Sequence, residues 1–278
     1  MTDTLPPPLI LGATGRIGRA FRRFHDLGLW PEAREPLWLH RPGHEVAGNA
    51  LAWDTAQPPP ADYRLHLTHG IIVLAGATQG DATRLAVNTE AAQAALRLRA
   101  AGVAGPVLLM SSAAVYGHLT APLTEDRAAP AAPYGAAKRA MEQSVAGVPG
   151  VTCLRLANVA GADALFGAMA RGPVTLDRFE SGRGPRRSYV GPLTLASALL
   201  ALRGMELPPV LNLTQPGAVA MESVLDAAGA DWRWQAAPDG ALPEVVLDTA
   251  RLDAILPLPE ADPARLVAEA EAAGWALP

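Results

Sequence analysis

The stretch Leu9–Gly18 restricts the fold of this 278-residue chain more than any other. A short apolar run, Leu9–Leu11, breaks into three glycines, Gly12, Gly15 and Gly18, and a helical pattern follows from Arg19 to Asp26. Such a pattern reads as a buried parallel strand that turns sharply at Gly12 and enters a helix near Gly15. Glycines so spaced serve a tight turn, close approach of backbone to a pyrophosphate, and tight packing of helix on strand, while the helix N-terminus favours negative charge. A glycine-rich turn alone is common, but its place between strand and helix predicts a dinucleotide site at Gly12, Gly15, Arg16, Ile17 and Gly18.

Half of the residues are hydrophobic, enough for one large core or a core with an added lobe. A net charge of −4 gives no reason to expect nucleic acid or an anionic membrane as partner. Cys153 is the single cysteine and lies in the strand-like stretch 151–156, which predicts a buried thiol, no disulfide within the chain and a reducing compartment. No basic N-terminal region precedes a long apolar stretch, so the sequence predicts a soluble, cytoplasmic protein. No metal site is expected. Among the 23 basic residues Lys138 is the only lysine, either an accident of composition or the mark of a position where a guanidinium fails.

A second strand, Pro36–His40, ends at Arg41. An acid here would hold the ribose 2′-hydroxyl of NAD; none occurs at 37–44, and Arg41 either accepts the 2′-phosphate of NADP or is solvated in a turn. Ala50–Asp54 reads as a short third strand that places Asp54 at the adenine edge. Gly70–Ala75 is a fully buried strand, and Ala75 and Gly76 are small enough for a cofactor to lie across them. A helical pattern runs from Asp81 to Ala101 and contains Asn88, a surface residue or a buried hydrogen-bonding post. Val107–Met110 is another buried strand, running into Ser111 and Ser112, and the carboxyl ends of parallel strands are where α/β sheets hold ligands. In the helix that follows, Tyr134 and Lys138 stand one turn apart on one face. A sixth strand covers Val151–Ala157; Arg171–Arg187 reads as an arginine-rich loop over a cleft, Leu193–Leu202 as a helix, Val210–Leu213 as a last strand and Pro263–Ala273 as a closing helix. Regular alternation up to residue 160 and an irregular remainder predict an α/β fold. Residues 1–160 form a doubly wound parallel sheet that also takes the strand near 210–214, and residues 161–278 form mainly a small C-terminal lobe.

Four motifs occur in order: Gly12, Gly15 and Gly18; Ser111–Gly117; Tyr134 with Lys138; and Leu154–Gly161. In this the chain resembles the extended short-chain dehydrogenases/reductases, specifically the NAD(P)-dependent epimerase/dehydratase family, whose members act mostly on nucleotide sugars. The resemblance spans the chain, most firmly residues 9–161, and implies a Rossmann sheet with a substrate-binding lobe. It implies that Ser112 orients the substrate oxygen, that Tyr134 transfers the proton, that Lys138 holds the nicotinamide ribose, and that the glycines carry the pyrophosphate. A free tyrosine, with pKa near 10, is a poor base; a fixed ammonium and the positive nicotinamide ring would favour its phenolate. Lysine offers a compact charge with three rotatable donors, which accounts for one lysine in an arginine-rich chain.

Departures from the family pattern are equally informative. A common Arg-x-Phe-x-His-Val-x-Asp stretch reads Arg187–Thr194 here and lacks its His and Asp, and the two residues after Ser112, an Asp–Glu pair in the family's sugar dehydratases, are Ala113 and Ala114. Residues 247–252 resemble a stretch of sugar-nucleotide reductases and epimerases. The function so implied is an oxidoreductase or epimerase for a sugar-like hydroxyl or keto group, with NADP preferred to NAD. A small carbonyl reductase and a non-catalytic NADP-binding regulator are the rivals; intact Ser112, Tyr134 and Lys138 count against the regulator. The expected partner is a small-molecule substrate, with no nucleic acid and no membrane, and a homodimer is left open.

Overall fold

The computed structural model describes residues 5–275. Six strands, β1 (Leu9–Leu11), β2 (Leu37–His40), β3 (Ala50–Ala52), β4 (His69–Val73), β5 (Ala104–Ser112) and β6 (Val151–Leu156), join Val210–Leu213 in a seven-stranded sheet. Its order is Val210–Leu213, β6, β5, β4, β1, β2, β3, and every pairing is parallel. Such strands are apolar throughout because helices cover both faces. Alternation within β1 shows this directly. Ile10 joins a cluster with Phe21, Trp38, Ile72, Leu154 and Leu199, whereas Leu9 and Leu11 join Leu37, Ile71, Ala95, Leu109 and Met141 on the opposite face.

Helices α1 (Arg16–Asp26), α2 (Ala82–Ala100) and α3 (Pro133–Ser144) connect these strands. The side chain of Asp81 caps α2 by accepting from the Arg84 N–H, which sets the start of that helix at Ala82. Beyond β6 lie α4 (Ala164–Met169), α5 (Pro192–Leu202), α6 (Met221–Ala227), α7 (Ala250–Ile255) and α8 (Pro263–Ala272). The chain returns to the sheet with α5, which packs against α1, and with α7, which packs against Val210–Leu213. Apart from these returns, α4, α6 and α8 build a separate core around Phe166, Leu176, Tyr189, Leu225 and Leu266.

The stretch read as an arginine-rich loop, 171–187, is partly strand. Val174–Arg178 pairs in parallel with Trp232–Ala236, and Arg186–Arg187 pairs with Val219–Ala220 and Glu244–Val245. Val174 and Leu176 are buried in alternation with exposed Thr175, a period-2 signal that the flanking glycines and arginines mask in the sequence. No helix among the described residues is long and apolar enough to cross a membrane.

Candidate active site

Strand order reverses direction beside β1: the chain passes to β2 and β3 on one side and to β4, β5 and β6 on the other. At the carboxyl ends of the strands this switch point opens a cleft of about 630 Å³, well within the usual size of a small-molecule site. One wall is the glycine turn. Gly12 has φ +109°, and a side chain there would strike the Ala75 nitrogen at 2.5 Å; a side chain at Gly18 would strike the Gly12 carbonyl at 2.3 Å. These two glycines therefore seat α1 tightly on β1 and β4. Gly15, at φ −70°, is the N-cap of α1, with no side-chain cap and no acid in the first turn. The first N–H groups of the helix are left for an anion, and the cradle suits a pyrophosphate.

The opposite wall comes from β5 and α3. Ser112 ends β5, and its hydroxyl accepts from the Ala114 N–H at 3.2 Å, which fixes the turn that follows. A side chain at Gly135 would lie 2.2 Å from the Ala114 carbonyl, so glycine lets α3 come down onto that turn and brings Tyr134 beside Ser112. Lys138, one turn further along α3, is buried, and its Nζ donates to the Met110 carbonyl at 2.6 Å. Ser112, Tyr134 and Lys138 thus meet in the cleft with Gly15, Arg16, Ile17 and Gly76.

Burial lowers the Lys138 pKa to about 8, opposed in part by Cys153 and Glu142. The ammonium still predominates at neutral pH. Tyr134 differs from the expectation: its phenol is held above the ordinary value because burial outweighs the Ser112 hydroxyl and the Arg16 guanidinium, both of which act downward. Replacing Lys138 by Arg should reduce turnover sharply, because a planar guanidinium cannot occupy a pocket shaped for one compact donor; steady-state rates of the two proteins at saturating cofactor check this.

Other residues expected near the cofactor are placed differently. Arg16 does not turn toward β2: it lies on the β6 side, where its guanidinium donates to the Ala162 carbonyl at 2.7 Å. In this position Arg16 lies away from Arg41 and the β2 end. Arg41 is exposed just beyond β2. Asp54 turns its carboxylate back to the Ala56 N–H at 3.0 Å, beside a separate hollow on α2. Ala75 donates its N–H to the Leu11 carbonyl at 3.0 Å and supports the turn from below rather than lining the cleft.

Asn88 is a buried post. Its amide donates to the carbonyls of Ala77 and Leu85, both at 2.9 Å, and its carbonyl accepts from the Ala77 N–H at 3.3 Å, which ties the loop after β4 to α2. Cleft residues outside the four motifs include Arg84 and Asp163, and Asn158 joins them from within Leu154–Gly161. Behind the catalytic wall lies a charged pair that was also missed. Arg155 donates from Nε and Nη2 to the two oxygens of Glu142, each at 2.9 Å, and Glu142 also accepts from the Ser111 hydroxyl at 2.7 Å. Arg155 lies over the Tyr116 ring, and the Tyr116 hydroxyl donates to Asn212 at 2.6 Å. Cys153, with its thiol pushed up to about 12 by burial, is chemically inert.

Fold and cleft define a Rossmann-like α/β protein with an open cleft at the sheet's switch point. Residues 63–195 match the model of the NAD dependent epimerase/dehydratase family. No curated protein sequence matches the chain. Among solved structures it is similar to an NAD dependent NDP-hexosamine 5,6-dehydratase, TunA, of tunicamycin biosynthesis (20% identity, 97% of each chain, TM-score 0.73). It is likewise similar to the dTDP-glucose 4,6-dehydratase DesIV of Streptomyces venezuelae, solved with NAD bound (19% identity, 95% of this chain and 97% of that one, TM-score 0.71). The UDP-glucose-4-epimerase of Stenotrophomonas maltophila, also with NAD, shares 18% identity over 95% of this chain and 96% of its own, with a TM-score of 0.73.

Proposed function

We propose that the chain is an NAD(P)-dependent oxidoreductase or epimerase acting on a hydroxyl or keto group of a nucleotide sugar, with Tyr134 as the proton-transfer group. The observation that carries this is the meeting of Ser112, Tyr134 and Lys138 with the glycine turn in one cleft. A bound nicotinamide dinucleotide supplies hydride exchange; Gly12, Gly15, Ile17 and Gly18 hold its pyrophosphate at the α1 N-terminus. Lys138 holds the nicotinamide ribose, Ser112 orients the reacting oxygen, and Tyr134 gives or takes that oxygen's proton. In this reading residues 161–278 supply most of the substrate lobe. The similar enzymes described above are named for nucleotide-sugar chemistry, which supports the substrate class. A panel of nucleotide sugars and their keto forms, followed by NAD(P)H absorbance and product chromatography, tests the reading; a panel with no turnover overturns it.

Elimination of water is not part of the proposed chemistry. Ala113 and Ala114 occupy the turn after Ser112, and neither can transfer a proton. Incubation with dTDP-glucose should yield no 4-keto-6-deoxy product by mass spectrometry; its appearance would contradict this assignment.

Arg41 stands where no acid guards the β2 end. NADP should therefore bind about ten- to a hundredfold tighter than NAD, the scale of one charge-assisted hydrogen bond to a phosphate. Calorimetry on the wild type and Arg41→Ala measures this, and equal affinities in either protein remove Arg41 from the role.

A further inference from the structure

Two arginines line the cleft, Arg16 and Arg84, and none of the steps proposed above uses either. They reach it from opposite faces of the sheet. Phe21 of α1 packs in the cluster around Ile10, whereas Ala91 and Ala95 of α2 pack with Leu9 and Leu11 on the other face. Arg16 is the first residue of α1 and Arg84 the third of α2, and neither first turn contains an acid. A cation at a helix N-terminus opposes the macrodipole, so each arginine sits where its own helix disfavours it.

The other arginines so placed among the described residues have carboxylates that offset this. Arg251, second in α7, donates to both oxygens of Asp126, at 2.6 and 2.8 Å, and Arg265, third in α8, lies 4.0 Å from Glu269. Arg16 and Arg84 have no ion-pair partner among the described residues. Arg16 donates to the Ala162 carbonyl, and the Arg84 guanidinium makes no hydrogen bond among those residues. Arg84 is nevertheless held in place. A Cβ at Gly80, φ +122°, would meet its Cδ at 2.5 Å, so the stem of the side chain lies across backbone that only glycine leaves open. Asp81 caps that first turn, and Asn88 ties Ala77 to α2. The other charged residues on the cleft walls are Lys138, whose Nζ is turned to Met110, and Asp163, whose Oδ1 caps α4.

We propose that Arg16 and Arg84 form an anion site that takes a diphosphate lying between them across the carboxyl edge of the sheet. Two planar, permanently charged forks suit the adjacent oxyanions of such a group. The choice of a diphosphate rests on the nucleotide-sugar reading given above, because both of its ligands, the dinucleotide and the sugar nucleotide, carry one.

Arg84→Gln, Arg84→Lys and Arg16→Gln are compared with the wild type by calorimetry on the full chain. The titrants are NADP, NAD, UDP-glucose at saturating NADP, and inorganic pyrophosphate. Each glutamine variant should bind the diphosphate ligand about ten- to a hundredfold more weakly, and Arg84→Lys should recover part of the loss. Wild-type affinity should also fall more steeply with rising salt than that of either glutamine variant. Because Arg84 opposes the dipole of α2 with no partner, Arg84→Gln should melt no lower than the wild type. A loss confined to NADP and NAD assigns the site to the dinucleotide, and a loss confined to UDP-glucose assigns it to the substrate. Unchanged affinity for every titrant in either glutamine variant overturns the site. If the wild type binds neither dinucleotide nor UDP-glucose, inorganic pyrophosphate decides: binding that the variants lose keeps the site and removes the nucleotide-sugar reading, and no binding removes both.

Discussion

Tyr134→Phe should lower turnover by roughly 10²–10⁴-fold while leaving cofactor affinity and melting temperature close to those of the wild type. The hydroxyl is the part of Tyr134 beside Ser112, whereas α3 rests against the turn 113–116 through Gly135. Phenylalanine keeps the ring and removes the proton. Because burial holds the phenol above its ordinary pKa in the protein alone, the proton-accepting direction should accelerate as pH rises toward that value. The phenylalanine variant should lose this dependence. Turnover and its pH profile, measured on both proteins with the same substrate, decide the matter, and a variant as active as the parent would exclude Tyr134 from proton transfer.

The largest loss of stability is expected from Glu142→Ala. Glu142 and Arg155 are each 1% exposed at the side chain, and their two bonds are parallel and of equal length. Removing one member of a buried pair leaves the other charge unpaired, at a cost of about 3–5 kcal/mol. By contrast Arg139, which also reaches Glu142 but is 37% exposed, should contribute less than about 1 kcal/mol when truncated to alanine. Chemical denaturation of the three proteins gives both figures. The pair also predicts an acid limit. Burial alone would push the Glu142 carboxyl up, but Arg155 and Ser111 together hold it below its ordinary value. A carboxyl whose folded pKa is depressed contributes stability that is present above its unfolded pKa and lost as pH falls through the folded one. Wild type should therefore lose stability at acid pH in a way that Glu142→Ala does not share.

Much of the fold was legible because buried parallel strands leave continuous apolar runs. Leu9–Leu11 and Val210–Leu213 appear with the ends read from sequence, and the other strands of the sheet differ by a few residues at their ends. The residues proposed to carry the reaction stand out in the sequence through order and spacing. Tyr134 and Lys138 share a helix face, and both lie near the Ser112 end of β5. What escaped notice depends on contacts between distant segments. Glu142 continues the Tyr134–Lys138 stripe by one more turn, but nothing local says that its partner is Arg155 on β6. The direction of Arg16 is set by the Ala162 carbonyl, 146 positions away, and so could not be read from the glycine motif. In the lobe, strands of two to five residues with alternating burial leave too short a pattern to separate from loop.

The central claim is that the glycine turn holds a dinucleotide whose pyrophosphate sits on the first turn of α1. Gly15→Asp addresses it most directly. Position 15 has an ordinary φ, and a Cβ there meets nothing closer than the Gly12 carbonyl at 3.3 Å, so the backbone accommodates the change with a small adjustment. Aspartate is also a favourable N-cap and should leave the helix at least as stable. Its carboxylate, however, would occupy the anion's place. Calorimetric titration with NADP and NAD should show one dinucleotide per wild-type chain and a loss of at least about a hundredfold in Gly15→Asp at unchanged melting temperature. A wild type that binds neither dinucleotide, or a variant that binds as tightly as the parent, would contradict the account.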